Sequence, residues 1–156
     1  MKKTLVKMLT VLIFLFPPLL HAEGTLEIDM DEFLTAKKAL VKETLQLTEK
    51  ESTVFWPLYE EYQEAKLIIF NRHVALIREH MQVRKNLSDK KAEALINEYL
   101  RLQADDLKLK QSFVKKFSKK LTYRRIYQFF DLEDRIEIGF FAAIAEELPI
   151  VEEISK

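Results

Sequence analysis

Two histidines and a block of cations are the residues best equipped to act on another molecule. His73 and His80 stand seven residues apart, a spacing that puts them on one face of a helix but about 10.5 Å apart along its axis. Zinc takes nitrogen ligands at about 2.0–2.1 Å, so these two cannot share an ion within one helix. A metal would need further ligands from another helix or across a dimer. The chain has no Cys and no His-x-x-x-His pattern, and no metal site or cofactor is assigned. With only two Gly there is no Gly-rich phosphate loop, and no Gly-x-Ser-x-Gly occurs. Carboxylate pairs such as Glu60-Glu61 and Glu146-Glu147 are adjacent on a helix and point apart rather than converging on a substrate. The expectation is a protein that is not an enzyme.

The cations are more unusual. Residues 107–130 carry eight basic side chains and no acidic one, whereas residues 131–156 carry eight acidic and two basic. Lysines near the end of a helix complement its partial negative charge by about 0.3–1 kcal/mol each, which accounts for Lys115, Lys116, Lys119 and Lys120. It does not account for Arg124 and Arg125, which fall in the first turn of the next helix, where the dipole disfavours cations. Either an internal acceptor pairs with them or an external ligand uses them. Phe113 and Phe117 interleave with these cations, as do Tyr123, Tyr127, Phe129 and Phe130. The candidate client-binding set is Phe113, Lys115, Lys116, Phe117, Lys119, Lys120, Arg124 and Arg125, a surface that would hold apolar segments and attract acidic ones. At helical spacing, most of the rings are expected in the core.

The N-terminus sets the compartment in which such a surface would work. Lys2, Lys3 and Lys7 precede an apolar run from Leu9 to Phe16, then Pro17-Pro18 and Leu20-His21-Ala22, the pattern of a secretory signal peptide cut after Ala22. The apolar run is shorter than the roughly 20 residues a bilayer requires, so stable membrane insertion is not expected. Residues 1–22 are therefore expected to be removed and residues 23–156 to form one periplasmic domain. Three of the 25 basic residues leave with the signal and none of the 25 acidic ones, which takes the net charge from 0 to −3. That balance does not indicate nucleic-acid binding. Without cysteine, stability rests on packing or on oligomerisation.

The elements that must position these residues are helices. Turn-forming residues are nearly absent, and Leu, Lys, Glu and Ala dominate, so the fold class is all-α. Leu47-Thr48, Leu87-Ser88 and Leu121-Thr122 each place a hydroxyl where it accepts from the first free N–H groups of a helix, and Glu51 completes a capping box with Thr48. Helices are predicted over about Asp31–Gln46, Glu49–Lys85, Asp89–Lys120 and Tyr123–Leu148, the last stopped by Pro149. Pro57 inside the second removes one N–H bond and crowds the Thr53 carbonyl, predicting a kink near residues 53–57, with Trp56 wedged beside it. At 1.5 Å per residue that helix is roughly 55 Å long, against a radius of gyration of about 14 Å for a globule of this size. An elongated layer of four helices has little interior for so many apolar residues. Homodimerisation is one resolution, and a monomeric bundle of bent helices is the other.

From Leu47-Thr48-Glu49-Lys50-Glu51 through Phe55-Trp56-Pro57-Leu58-Tyr59-Glu60-Glu61-Tyr62, and again at Leu121-Thr122-Tyr123-Arg124-Arg125, the sequence resembles the exported helical proteins of the Spy/CpxP group. That group is marked by repeated Leu-Thr-x-x-Gln motifs and includes zinc-associated members. Glu51 and Arg125 stand where the motif has Gln. The resemblance implies a cradle-like antiparallel homodimer that shields unfolded or stress-damaged envelope proteins without ATP. Alternatives are an accessory regulator that binds the sensor of an envelope-stress or sigma-factor system, and a metal-responsive periplasmic protein. It carries over no catalytic residue. Leu47, Thr48, Glu51, Trp56, Pro57, Leu121 and Thr122 take structural roles.

Overall fold

The structure is a computed structural model that describes residues 19–20, 26–27 and 30–147, with side chains described up to residue 143. The expected signal segment and its cut after Ala22 lie outside the described residues, apart from Leu19–Leu20, as does Pro149. Among the described residues four helices carry the fold: α1 (Met30–Leu45), α2 (Glu49–Val83), α3 (Asp89–Phe117) and α4 (Tyr123–Glu147). A 3₁₀ turn, Arg84–Asn86, joins α2 to α3. The only pairing of strands among the described residues is a two-residue antiparallel ladder, β1 (Leu19–Leu20) with β2 (Leu26–Glu27). The class is all-α.

Helix starts follow the hydroxyl residues. Ser88 Oγ accepts from the Lys91 N–H at 3.3 Å at the start of α3, and Thr122 Oγ1 accepts from the Arg125 N–H at 3.4 Å at the start of α4. α3 stops at Phe117, three residues short of the predicted end, because Ser118–Lys120 tighten into a turn that returns the Lys120 and Leu121 N–H groups to the Phe117 carbonyl. α2 continues through Pro57 as one helix. Thr53 and Pro57 are both exposed, so water can reach the carbonyl that Pro57 leaves without its N–H partner. Trp56 packs edge-on against Phe55 and Tyr59, with ring centroids 5.1 and 5.3 Å away.

The stretch from 30 to 147 sorts into two compact units. In one, α2 and α3 form an antiparallel hairpin. Glu61 pairs with Lys116, Lys66 with Asp106, Arg72 with Glu98 and Asp105, and Glu79 with Lys91. As the α2 number rises the α3 number falls. Phe55 stacks on Phe117 at 5.6 Å and Tyr62 meets Phe113 edge-on at 5.3 Å. α2 alone spans 35 residues, about 52 Å at 1.5 Å per residue.

In the other unit α1 pairs with α4, again antiparallel. Phe33 meets Phe140 at 5.3 Å, and Lys37 meets Glu133 at 2.8 Å. Buried residues on α1 (Phe33, Lys37, Leu40, Val41, Leu45) recur at spacings of three and four, which puts them on one helical stripe. Among the described side chains of α4, Ile126, Phe129, Leu132 and Ile136 are the buried apolar ones. Inside this interface the Lys37 and Glu133 side chains are only 8% and 3% exposed. Each charge has lost its hydration and depends on the other, so removing one strands its partner at a cost of about 3–5 kcal/mol, whereas an apolar replacement of both is far milder. Chemical denaturation should therefore show Lys37→Met alone to be much more destabilising than Lys37→Met combined with Glu133→Leu. Equal losses would mean that the ion pair is not the tie it resembles.

Candidate functional site

The residues singled out by the cation pattern do not share one fate. Phe113 and Phe117 are 3% and 0% exposed and form the end of the α2–α3 core, so neither ring is offered to a ligand. The reason is their spacing: they continue the row of Leu102 and Leu109, which is the stripe α3 turns toward α2. Lys116 is committed to Glu61, and its ammonium lies 4.3 Å from the centre of the Phe113 ring, within cation–π range. Lys115, Lys119, Lys120 and Arg124 are exposed.

Arg125 resolves the question raised by its place in a first turn. Its Nη1 donates to the Leu45 carbonyl at 3.0 Å and to Gln128 Oε1 at 3.2 Å. Leu45 is the last residue of α1, and the final carbonyls of a helix have no intrahelical donor. The guanidinium thus sits at the negative end of α1, a more favourable site than the positive end of its own helix. The residue after Leu45, Gln46, has φ 45°, the left-handed position that often ends a helix. Arg125 is a cap for a neighbouring helix, with the Leu45 carbonyl as the internal acceptor that its first-turn position calls for.

Of the structural-motif residues, Leu121 is buried, Leu47, Glu51 and Trp56 are half-buried, and Thr48, Pro57 and Thr122 are exposed. They mark helix starts. His73 is half-buried with its ring 6.1 Å from that of Tyr99, and His80 lies two turns further along α2. Among the described residues, no three His, Asp or Glu side chains converge as metal ligands would.

The cross-hairpin ion pairs contain a strong electrostatic coupling. Lys66 is buried, and its ammonium donates to Asp106, which also holds Lys110 at 3.0 Å. Partial burial pushes the Asp106 carboxyl up, but the hydrogen bonds and charges of Lys66 and Lys110 outweigh this and hold it below the usual carboxylate range. Next to it, Arg72 bridges Asp105 at 2.8 Å and Glu98 at 2.8 and 3.2 Å. The three carboxylates of central α3 are each engaged by a cation of α2, and Glu98 also meets Arg101 of its own helix at 3.7 Å.

Two rows face outward; the α3 row escaped the sequence reading, whereas Tyr123 and Tyr127 of the α4 row are among the rings interleaved with the cations. On α3, Ile96, Leu100 and Leu107 are 57–59% exposed, roughly 140° around the helix from the Leu102 stripe at 100° per residue. On α4, Tyr123, Tyr127 and Ile138 are 68–73% exposed. Beside Tyr127 lies a groove of about 120 Å³ lined by Thr44, Leu45, Gln128, Asp131, Leu132 and Arg135. It is well below the roughly 300–1,000 Å³ of a small-molecule pocket, a size suited to a single side chain. The signal for the α3 row was present in the sequence as a second apolar series out of phase with the first, but periodicity cannot say which of two stripes faces the neighbouring helix.

No protein-family model, curated protein or solved structure matches the chain.

The depressed Asp106 sets a direction for pH dependence. A carboxylate held below its unfolded value contributes stability that is fully present above the ordinary carboxylate range and is lost as pH falls through the folded value. Thermal unfolding should thus show stability declining on acidification, with a shallower decline in Asp106→Asn, which has no carboxyl to protonate. An unchanged slope in that variant would show that Asp106 is not the group responsible.

Proposed function

We propose that this chain is an exported, non-enzymatic periplasmic protein that holds unfolded or stress-damaged envelope proteins without ATP. The observation that carries the reading is the outward face of α4. Tyr123 and Tyr127, one helical turn apart, are more than 70% exposed, and the side-chain-sized groove opens beside the second. Tyrosine supplies a large apolar face with a polar tip at low entropic cost, which suits a surface that accepts many sequences. The exposed cation Arg124 lies between them in sequence and adds attraction for acidic stretches.

The reading also draws on the resemblance of the Leu-Thr elements to those of the Spy/CpxP group. In the same reading the working form is a homodimer, and the partners are polypeptides rather than nucleic acid. No helix among the described residues is long and apolar enough to cross a membrane.

The test is light scattering from a denatured client protein diluted into buffer with a several-fold molar excess of the chain and no nucleotide. Aggregation should be suppressed, and Tyr123→Ala with Tyr127→Ala should weaken the effect severalfold with helicity intact, since both side chains stand in water. No suppression by the wild-type chain would defeat the proposal. Crosslinking that recovers one specific sensor domain and no generic client would establish the accessory-regulator reading instead.

A further inference from the structure

The solvent face of α3 from Ile96 to Lys115 has no fully exposed acidic residue. Every acidic residue in that stretch, namely Glu98, Asp105 and Asp106, is half-buried and engaged by Arg72 or Lys66 of α2. What remains exposed is apolar, polar or cationic. Ile96, Leu100 and Leu107 form the apolar row, with Tyr99 half-exposed on one flank. Arg101, Lys108 and Lys115, all exposed, run along the other flank at a regular spacing of seven, about 10.5 Å apart on the axis.

An apolar row bordered by long cationic side chains is the arrangement of a helix that lies in a membrane interface. Leucine and isoleucine enter the boundary of the acyl chains, while Lys and Arg extend their stems over apolar surface and keep their charges at headgroup level. Tyr99 has the amphipathic ring favoured at that depth. Arg101 is shared with Glu98 at 3.7 Å, while Lys108 and Lys115 extend the cation row, which is complementary to anionic headgroups, to which each basic residue near the surface adds about 1 kcal/mol. The row runs along one regular helix, and peripheral contact of this kind requires no spanning segment.

We propose that α3 docks the protein on anionic lipid surfaces through Ile96, Leu100 and Leu107, with Arg101, Lys108 and Lys115 on the headgroups. The surface is separate from the α4 face assigned to clients, so the two readings stand or fall apart.

Co-sedimentation with vesicles of phosphatidylcholine alone, or mixed equally with phosphatidylglycerol, tests it. The chain should partition onto the anionic vesicles, with affinity falling about tenfold or more in Lys108→Glu combined with Lys115→Glu, as the charge contribution per cation implies. Leu100→Asp should also release it. Any binding contributed by the apolar N-terminus is common to every variant and cancels in the comparison. All these positions are exposed, and circular dichroism checks that the helices persist. A second measurement uses a single reporter: in a Trp56→Phe background, the emission of Leu107→Trp should shift to the blue on anionic vesicles and be quenched by bromine-labelled lipid chains. An unshifted, unquenched tryptophan, or unchanged binding by the charge-reversed variant, overturns the proposal. So does equal retention on soluble polyglutamate that is indifferent to Leu100→Asp, which would make the face a site for acidic polypeptide.

Discussion

Each carboxylate that central α3 turns toward α2 meets a cation there, and the character of the hairpin follows from that pairing. Lys66 reaches Asp106, and Arg72 spans Asp105 and Glu98. These contacts fix the antiparallel register over a length where apolar stripes alone would tolerate a slide of one turn. They also sort charge. Acids are drawn into the interface, and the cations left on α3 face outward beside Ile96, Leu100 and Leu107. A chain with balanced charge overall thereby presents a locally basic, amphipathic surface.

The pair of α1 and α4 applies the same device with fewer parts. One buried ion pair, Lys37 with Glu133, lies among apolar contacts, and one guanidinium, Arg125, closes the carbonyl end of α1. Among the described residues, α1 and α4 each bury one stripe against the other. Large apolar residues outside that stripe remain in water, as Tyr123, Tyr127 and Ile138 do. Such faces are costly for a protein with nothing to bind, which is why the functional reading is placed on surfaces and not on a cavity.

That placement also explains why candidate chemistry dissolves on inspection. Of the eight residues proposed to meet clients, two are core rings, one is salt-bridged across the hairpin and one caps a helix. What remains are Lys115, Lys119, Lys120 and Arg124, cations whose value depends on the apolar side chains beside them. Those neighbours are Tyr123 and Tyr127 of α4, interleaved with the cations in sequence, and α3 residues that the charge pattern did not pick out.

Helix identity and nearly all boundaries were legible in the residues themselves. Ser88 and Thr122 announce helix starts because a hydroxyl accepts the first free N–H wherever the chain goes, and this chemistry is local. The scarcity of Gly and Pro left no other class than all-α. The lysines placed by sequence at the end of α3 lie in part beyond it, because the turn at Ser118–Lys120 is closed by Phe117, whose ring is anchored in the core. Partner choice was not legible. Phe113 and Leu107 are equally apolar, Arg124 and Arg125 equally basic, and only the approach of α2 and of α1 decided that one member of each pair is buried or bonded and the other faces water. Local hydrogen bonding is written residue by residue, whereas burial belongs to two surfaces at once and exists only when the helices meet.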